Sequence, residues 1–342
     1  MIVLTYFGSS PREVNGWTRA ANRRACSRSR RNGRIPADGG LDHNGVTESV
    51  DPIMPAPSAS NDSAIVLLSG PLRQGLAAAL TQFVYDQGRE IVKYDQYVDL
   101  ANKRFFARLE WTARAAEESG LRAEFEQAIA RPRELDWQLF FSSRPVRIAV
   151  FLTREIAHLY ELVVPCLSGR WNAQLALAVC NHPQLESEAR RFGIEFACIP
   201  IDGMRRDAAE EEQLRLLAEH DIDLVVLARY MQMVGPRFVD RYRHRIINIH
   251  HSMLPAFTGA APYRQAWERG VKMIGATSHY VSEDLDAGPI IAQESMAVDH
   301  SRTAEELANL GRELETRVLA HAVGLHVRHC LIVDGRRTIV FD

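Results

Sequence analysis

The chain has 342 residues, 46% hydrophobic and 25% charged, with a formal net charge of −2. That balance describes a soluble globular protein of one large or two ordinary domains, and the near-neutral charge gives no reason to expect nucleic acid or an acidic membrane as partner. No apolar run approaches the roughly 20 residues of a membrane helix, and the five cysteines (Cys26, Cys166, Cys180, Cys198, Cys330) form no CxxC pair, which suits reduced thiols in a cytoplasmic protein and argues against a structural metal site.

Residues 1–61 read differently from the rest. They gather Arg19, Arg23, Arg24, Arg28, Arg30, Arg31 and Arg34 among scattered Gly, Ser and Pro, with no sustained periodicity. No apolar core follows the charges, so a secretory signal is excluded. Glu13, Asp38, Asp42, Glu48 and Asp51 weigh against a transit peptide. The composition predicts a disordered extension, with Met54 as an alternative first residue.

Regular patterning begins at Ala64. Ala64–Leu68 reads as a strand, and residues 74–86 carry helical spacing through Leu76, Leu80, Phe83 and Val84. Strands follow over 90–98 and 103–111, then a helix over 117–130 that Pro132 is expected to end, and a strand over 135–141. This βαββαβ order over residues 62–143 predicts a ferredoxin-like module. It resembles an ACT domain, which implies a regulatory or oligomerising role and a small-molecule effector site. The first loop of such domains normally reads C-P-D-x-x-G. Here it is Gly70-Pro71-Leu72-Arg73-Gln74-Gly75, and Leu72 replaces the acid that would meet an effector amine. That departure favours structural or oligomerising use, and a homo-oligomer is expected.

After a short linker (Ser142–Pro145), residues 146–342 form the second module. Strands are predicted over 147–152, 175–180, 195–199, 223–227 and 245–249, with helices over 155–167, 185–192 and 208–220. Alternation at this spacing predicts a doubly wound, mostly parallel, Rossmann-like α/β sheet. The segments 272–280 and 289–297 have no helix between them and read as an antiparallel extension. A helix over 303–323 and a hairpin turning at Asp334-Gly335 complete the chain.

The most informative residues lie late in this module. Asn248-Ile249-His250-His251-Ser252-Met253-Leu254-Pro255 is followed by His279 and then by Leu285-Asp286-Ala287-Gly288-Pro289. A carboxamide, an imidazole and a carboxylate at the ends of apolar strands are the groups needed to polarise a small carbonyl and move protons around it. Each has a structural alternative: Asn248 could simply end a strand, and Asp286 could sit in an Asx turn before Gly288. The joined patterns N-I-H-x-S-x-L-P and H-x-V-x-x-x-L-D-x-G-P-I resemble the formyltransferase fold that uses 10-formyltetrahydrofolate. Within it, His250 to Gln293 resembles the formyltetrahydrofolate deformylase family. The likeness runs from about Arg147 to Phe341, and more loosely back to Ala64.

The resemblance implies Asn248, His250 and Asp286 as the catalytic set, with Asp286 either holding the imidazole or taking a proton from the attacking water. His279 and His251 are expected to line the pocket, and His251 to help place water. Arg229, Tyr230 and Met231, after the fourth strand, resemble the folate-binding segment, with Val281 facing them. The folate is then substrate, so neither a separate cofactor nor a metal is implied. Transferases of this fold cradle a phosphate on a Gly- and Ser-rich turn after the first strand; here that turn reads Thr153-Arg154-Glu155. With no glycine there and with Glu155 repelling an anion, water becomes the expected nucleophile. The alternatives are formyl transfer to an amino acceptor, with Arg154 gripping a phosphate, and a regulatory protein that only binds folate or an amino acid.

Overall fold

The computed structural model describes residues 62–201, 206–255 and 262–342. The extension expected for residues 1–61, with Cys26, lies outside the described residues.

The first module runs β1 (Ser63–Pro71), α1 (Leu76–Asp86), β2 (Ile91–Asp99), β3 (Arg104–Thr112), α2 (Glu118–Phe125) and β4 (Asp136–Phe141). Its antiparallel sheet has the order β2-β3-β1-β4, the ferredoxin-like arrangement. Gly75 and Gly88, both at positive φ, bracket α1, a conformation that costs glycine little. Both helices lay their apolar stripes on one sheet face, where Phe83 meets Phe125 edge-on at 5.2 Å above Trp111. Pro132 does not end the second helix. The chain winds through a π-helical turn (Glu126–Ala130) into α3 (Arg131–Arg133). Pro132 sits in that first turn, where its missing N–H goes unneeded, and the stop comes at Glu134 in the left-handed region.

The second module opens with β5 (Val146–Leu152), α4 (Ala157–Leu167), β6 (Ala173–Cys180), α5 (Glu186–Arg191) and β7 (Glu195–Cys198). It continues through α6 (Arg206–Glu219), β8 (Leu224–Leu227), α7 (Pro236–Arg241) and β9 (Ile246–His250). Then come α8 (Pro262–Glu268), β10 (Met273–Tyr280), β11 (Ile290–Ala297) and α9 (Ala304–Val327). The sheet order is β11-β10-β9-β8-β5-β6-β7. The five strands β5 to β9 run parallel, and β10 and β11 extend the sheet antiparallel. Because helices cover both faces, the parallel strands are apolar throughout: one core lies under α4 and α9, another under α6 and α7.

Helices α7 and α8, of 6 and 7 residues, are additions to the predicted elements. Helix α9 runs four residues past the expected end, starting from a Thr303/Glu306 capping box. The terminal hairpin, β12 (Leu331–Asp334) and β13 (Arg337–Val340), pairs Asp334 with Arg337, so its turn is Gly335-Arg336 rather than Asp334-Gly335. Gly335 takes the positive φ that such a two-residue turn needs.

The two modules are joined through the end of α9 and this hairpin. Buried Arg108 on β3 donates from Nε to the His329 carbonyl at 3.0 Å and from Nη2 to the Arg328 carbonyl at 3.3 Å. Both carbonyls lie at the electronegative end of α9, where a guanidinium is stabilised. The Phe140 ring stacks on His329 at 3.9 Å, and Arg337 pairs with Asp99 at 3.0 Å.

Candidate active site

The β9–β10 ladder builds the site. It pairs His279 directly with Asn248, and Thr277 with His250. Side chains two apart on one strand, and those opposite across the ladder, share a face. Asn248, His250, Thr277 and His279 therefore project together at the carboxyl end of β9, which is where open α/β sheets bind ligands. Asp286 arrives from the loop between β10 and β11. A Cβ on Gly288 would stand 1.7 Å from the Tyr280 carbonyl oxygen, so only glycine lets this loop press back onto β10. Asp286 itself takes φ 53, a conformation that Asp and Asn tolerate better than most residues.

Thr277 pins the segment after β9. Its hydroxyl accepts from Leu254 N at 3.0 Å and donates to the Ser252 carbonyl at 2.8 Å, while Gln293 Nε2 donates to the Leu254 carbonyl at 3.1 Å.

Hydrogen bonding fixes how the imidazoles are oriented. His279 Nδ1 lies 2.9 Å from the Tyr280 carbonyl oxygen, which can only accept, so Nδ1 carries the proton. With Nδ1 as the donor, Nε2 is the ring's acceptor, and Asn248 Nδ2 sits 3.3 Å from it. That contact uses one amide hydrogen of Asn248 and leaves the second for a ligand. His250 Nδ1 faces Asp286 Oδ2 at 3.2 Å, and His279 Nε2 lies 3.6 Å from Asp286 Oδ1. Hydrogen bonding, chiefly from His250, holds the Asp286 carboxyl well below the usual carboxylate range. His250 Nε2 is buried without a partner among the described residues. Unpaired buried polar atoms are rare, and this one is free to exchange a proton with a bound molecule.

The remaining predicted residues divide between the two sides of the sheet edge. The His251 ring lies 4.9 Å from His250 and 6.4 Å from Tyr263. Burial, with His250 and Arg229 nearby, lowers its pKa to about 4, so it is neutral at neutral pH. Arg229 and Met231 both adopt positive φ in the loop after β8 and line a cavity of about 380 Å³ with His251, Thr153, Glu155 and Tyr263. Tyr230, between them, points into the core. It is 2% exposed, its ring meets Phe151 edge-on at 5.1 Å, and its hydroxyl accepts from Gln213 at 2.9 Å. Val281 is half-buried against the core under α6 and α7, its N–H bonded to the Ile246 carbonyl at 2.9 Å.

A buried ionic array borders the cavity. Arg229 Nη1 donates to Glu155 at 2.6 Å, and its Nε lies 2.8 Å from Glu315 Oε2. Glu315, on α9, is fully buried and accepts from the Tyr263 hydroxyl at 2.5 Å. Gly311, one turn earlier, makes room: a Cβ there would lie 2.1 Å from the Tyr263 ring. Arg229 and Glu155 are named from the sequence, but Glu315 and Tyr263 are absent from the predicted site. The signal for Glu315 was its place inside the Leu307, Gly311, Leu314, Val318 stripe of α9, where an apolar residue is the norm. Among the described residues no group of His, Cys, Asp and Glu is arranged to hold a metal ion.

Residues 146–323 match the formyl transferase family. The formyltetrahydrofolate deformylase of Bacillus subtilis is 42% identical over 286 residues, covering 83% of this chain and 95% of that protein. The crystal structure of a formyltetrahydrofolate deformylase from Pseudomonas syringae pv. tomato matches with a TM-score of 0.80 at 35% identity, over 83% of this chain and 96% of that one. Both likenesses span the two modules together. The chain belongs to the formyltetrahydrofolate deformylase family. A glycinamide ribonucleotide transformylase from Symbiobacterium toebii aligns more narrowly, with a TM-score of 0.55 at 32% identity over 60% of this chain and 98% of that one. The transformylase match covers about as much of the chain as the second module alone, whereas the two deformylase matches extend beyond it.

Proposed function

We propose that the protein hydrolyses 10-formyltetrahydrofolate to formate and tetrahydrofolate, balancing one-carbon pools and supplying formate for purine synthesis. The observation that carries this reading is the convergence of Asn248, His250 and Asp286 within a chain that matches deformylases over both modules. The spare amide hydrogen of Asn248 stabilises the oxyanion that forms as water adds to the formyl carbon. Water contributes its oxygen to that carbon, the C–N10 bond breaks, and N10 leaves with a proton. His250 Nε2 handles that proton, because its Nδ1 is engaged by Asp286. The depressed pKa of Asp286 makes it a poor base, so its role is to orient His250 and stabilise the imidazolium.

The backbone of the 229–231 loop and Val281 on the facing loop flank the folate slot, with Tyr230 behind, while the Arg229 side chain turns to the neighbouring cavity beside His251. His251 is neutral at neutral pH and can accept a hydrogen bond from the attacking water. His279 holds Asn248 in place. The folate is substrate, and the reading needs no separate cofactor.

The first module is read as structural and oligomerising. Its edge strand β2 leaves Val92 56% and Tyr97 42% exposed, an edge with no strand partner among the described residues and suited to self-association. The four free cysteines among the described residues suit a cytoplasmic protein.

The test is formate release from 10-formyltetrahydrofolate by purified protein without added amine. Stoichiometric formate from the parent, with near-complete loss in Asn248→Ala at retained fold, supports the reading. No formate until an amino acceptor is added would replace hydrolysis by transfer.

A further inference from the structure

We propose that the Glu155–Arg229–Glu315 array determines acceptor choice: it closes the cavity beside His251 to phosphate-bearing amines and leaves that side of the site to water. The inference deepens the hydrolytic reading and rests on it.

At about 380 Å³ the cavity is within the size range of small-molecule sites. It also lies where an anion would be drawn. Helix α4 begins beside it at Ala157 with no side-chain cap on its first turn, and uncapped N–H groups at a helix start favour negative charge. The chain supplies that charge itself. Glu155 stands two residues ahead of the helix and reaches across to Arg229 at 2.6 Å. The Arg229 guanidinium, which could otherwise grip a phosphate in bidentate fashion, donates to Glu155 from Nη1 and faces buried Glu315 with its Nε as a close ion pair that is not aligned as a hydrogen bond. With both carboxylates ionised the array carries one net negative charge; with Glu315 protonated it is neutral. In neither state does it offer the positive field that a phosphate needs. Arg264 also lines the cavity, but it is largely exposed and pairs with Glu268 at 3.0 Å.

What the cavity does offer suits a small neutral hydrogen-bonding molecule. His251 lines it, and its Nδ1 is buried without a partner among the described residues. Ordered water is the usual partner of such an atom.

The experiment titrates glycinamide ribonucleotide, a phosphate-bearing primary amine, against the full-length protein and its Glu155→Gln variant. Binding is read by calorimetry, and formate release is followed in parallel. The parent is expected to show no binding at millimolar nucleotide and unchanged formate release. Glu155→Gln removes one charge at constant shape and should bind at least about tenfold more tightly, with formate yield falling as nucleotide is added. Glu155→Gly repeats the test without a side chain, should Gln disturb the loop. Nucleotide binding by the parent overturns the proposal. So do folded variants as indifferent as the parent, and so does loss of formate release in both variants without any gain in affinity. If the parent releases no formate at all, it is the hydrolytic reading that fails, while the calorimetry still reports on anion exclusion.

Discussion

Asp286→Asn isolates what one negative charge contributes to the site. The substitution keeps shape, and asparagine tolerates the left-handed backbone that residue 286 adopts. The amide oxygen of the variant side chain can still accept from His250 Nδ1 at the observed 3.2 Å, so geometry survives while charge is lost. At 3.6 Å, His279 Nε2 is beyond a good hydrogen bond and feels the carboxylate mainly as a charge. Replacing one charge-assisted bond by a neutral one costs about 1–2 kcal/mol. The larger loss comes when His250 becomes cationic during turnover. At 3.2 Å and an effective dielectric of about 20, the attraction is roughly 5 kcal/mol, part of which the neutral amide dipole recovers. A barrier increase of about 3–4 kcal/mol follows, or 10²–10³-fold in kcat. Because residue 286 orients His250 and does not grip the folate, KM should move much less. The assay is steady-state formate release, with circular dichroism confirming the fold. A folded variant within threefold of parental kcat would refute the role assigned to Asp286.

Three further outcomes follow from the same structure. Gly288→Ala sets a Cβ 1.7 Å from the Tyr280 carbonyl oxygen, where only backbone can yield; we expect at least about 2 kcal/mol of destabilisation, seen as a lower Tm, together with slower formate release as Asp286 is displaced. Glu315→Ala strands Arg229 with Glu155 alone and leaves the Tyr263 hydroxyl without its acceptor; the cost should be about 3 kcal/mol in chemical denaturation, and the smaller loss expected of Glu315→Gln checks that charge is the cause. Acid should destabilise the fold well above the carboxylate range. Burial lowers the His158 pKa from 6.5 to about 4, so between those values the unfolded chain takes up a proton that the folded one refuses, and stability falls as pH falls. Going from pH 7 to pH 5 this one residue costs about 2 kcal/mol. Melting curves across that range, compared with those of His158→Gln, read the effect; identical pH slopes for the two proteins would remove His158 as its source.

Most strands were legible because their burial pattern is written in local residue types. Ile246-Ile247 and Val225-Val226-Leu227 suit a sheet covered on both faces, and no other element accommodates them as well. The boundaries that slipped were those set by non-local contacts. The helix that passes Pro132 does so through a π-helical turn. Helix α9 continues to Val327 because the first module and the terminal hairpin cover its end. The motif residues Asn248, His250 and Asp286 could be named in advance, but neither the direction of the His279 ring nor the inward turn of Tyr230 could be.

Element order, strand faces and the chemical groups gathered at the carboxyl end of β9 were all set by residue type along the chain, since they follow from side-chain character at periods of two and 3.6. It took the packed molecule to put the His279 proton on Nδ1, and to bring Glu315, more than eighty residues downstream of Arg229, to the second side of that guanidinium. The difference is one of range. Hydrophobic pattern acts along a few residues of chain, whereas a buried charge finds its partner through space and reveals itself once the sheet and α9 are packed together.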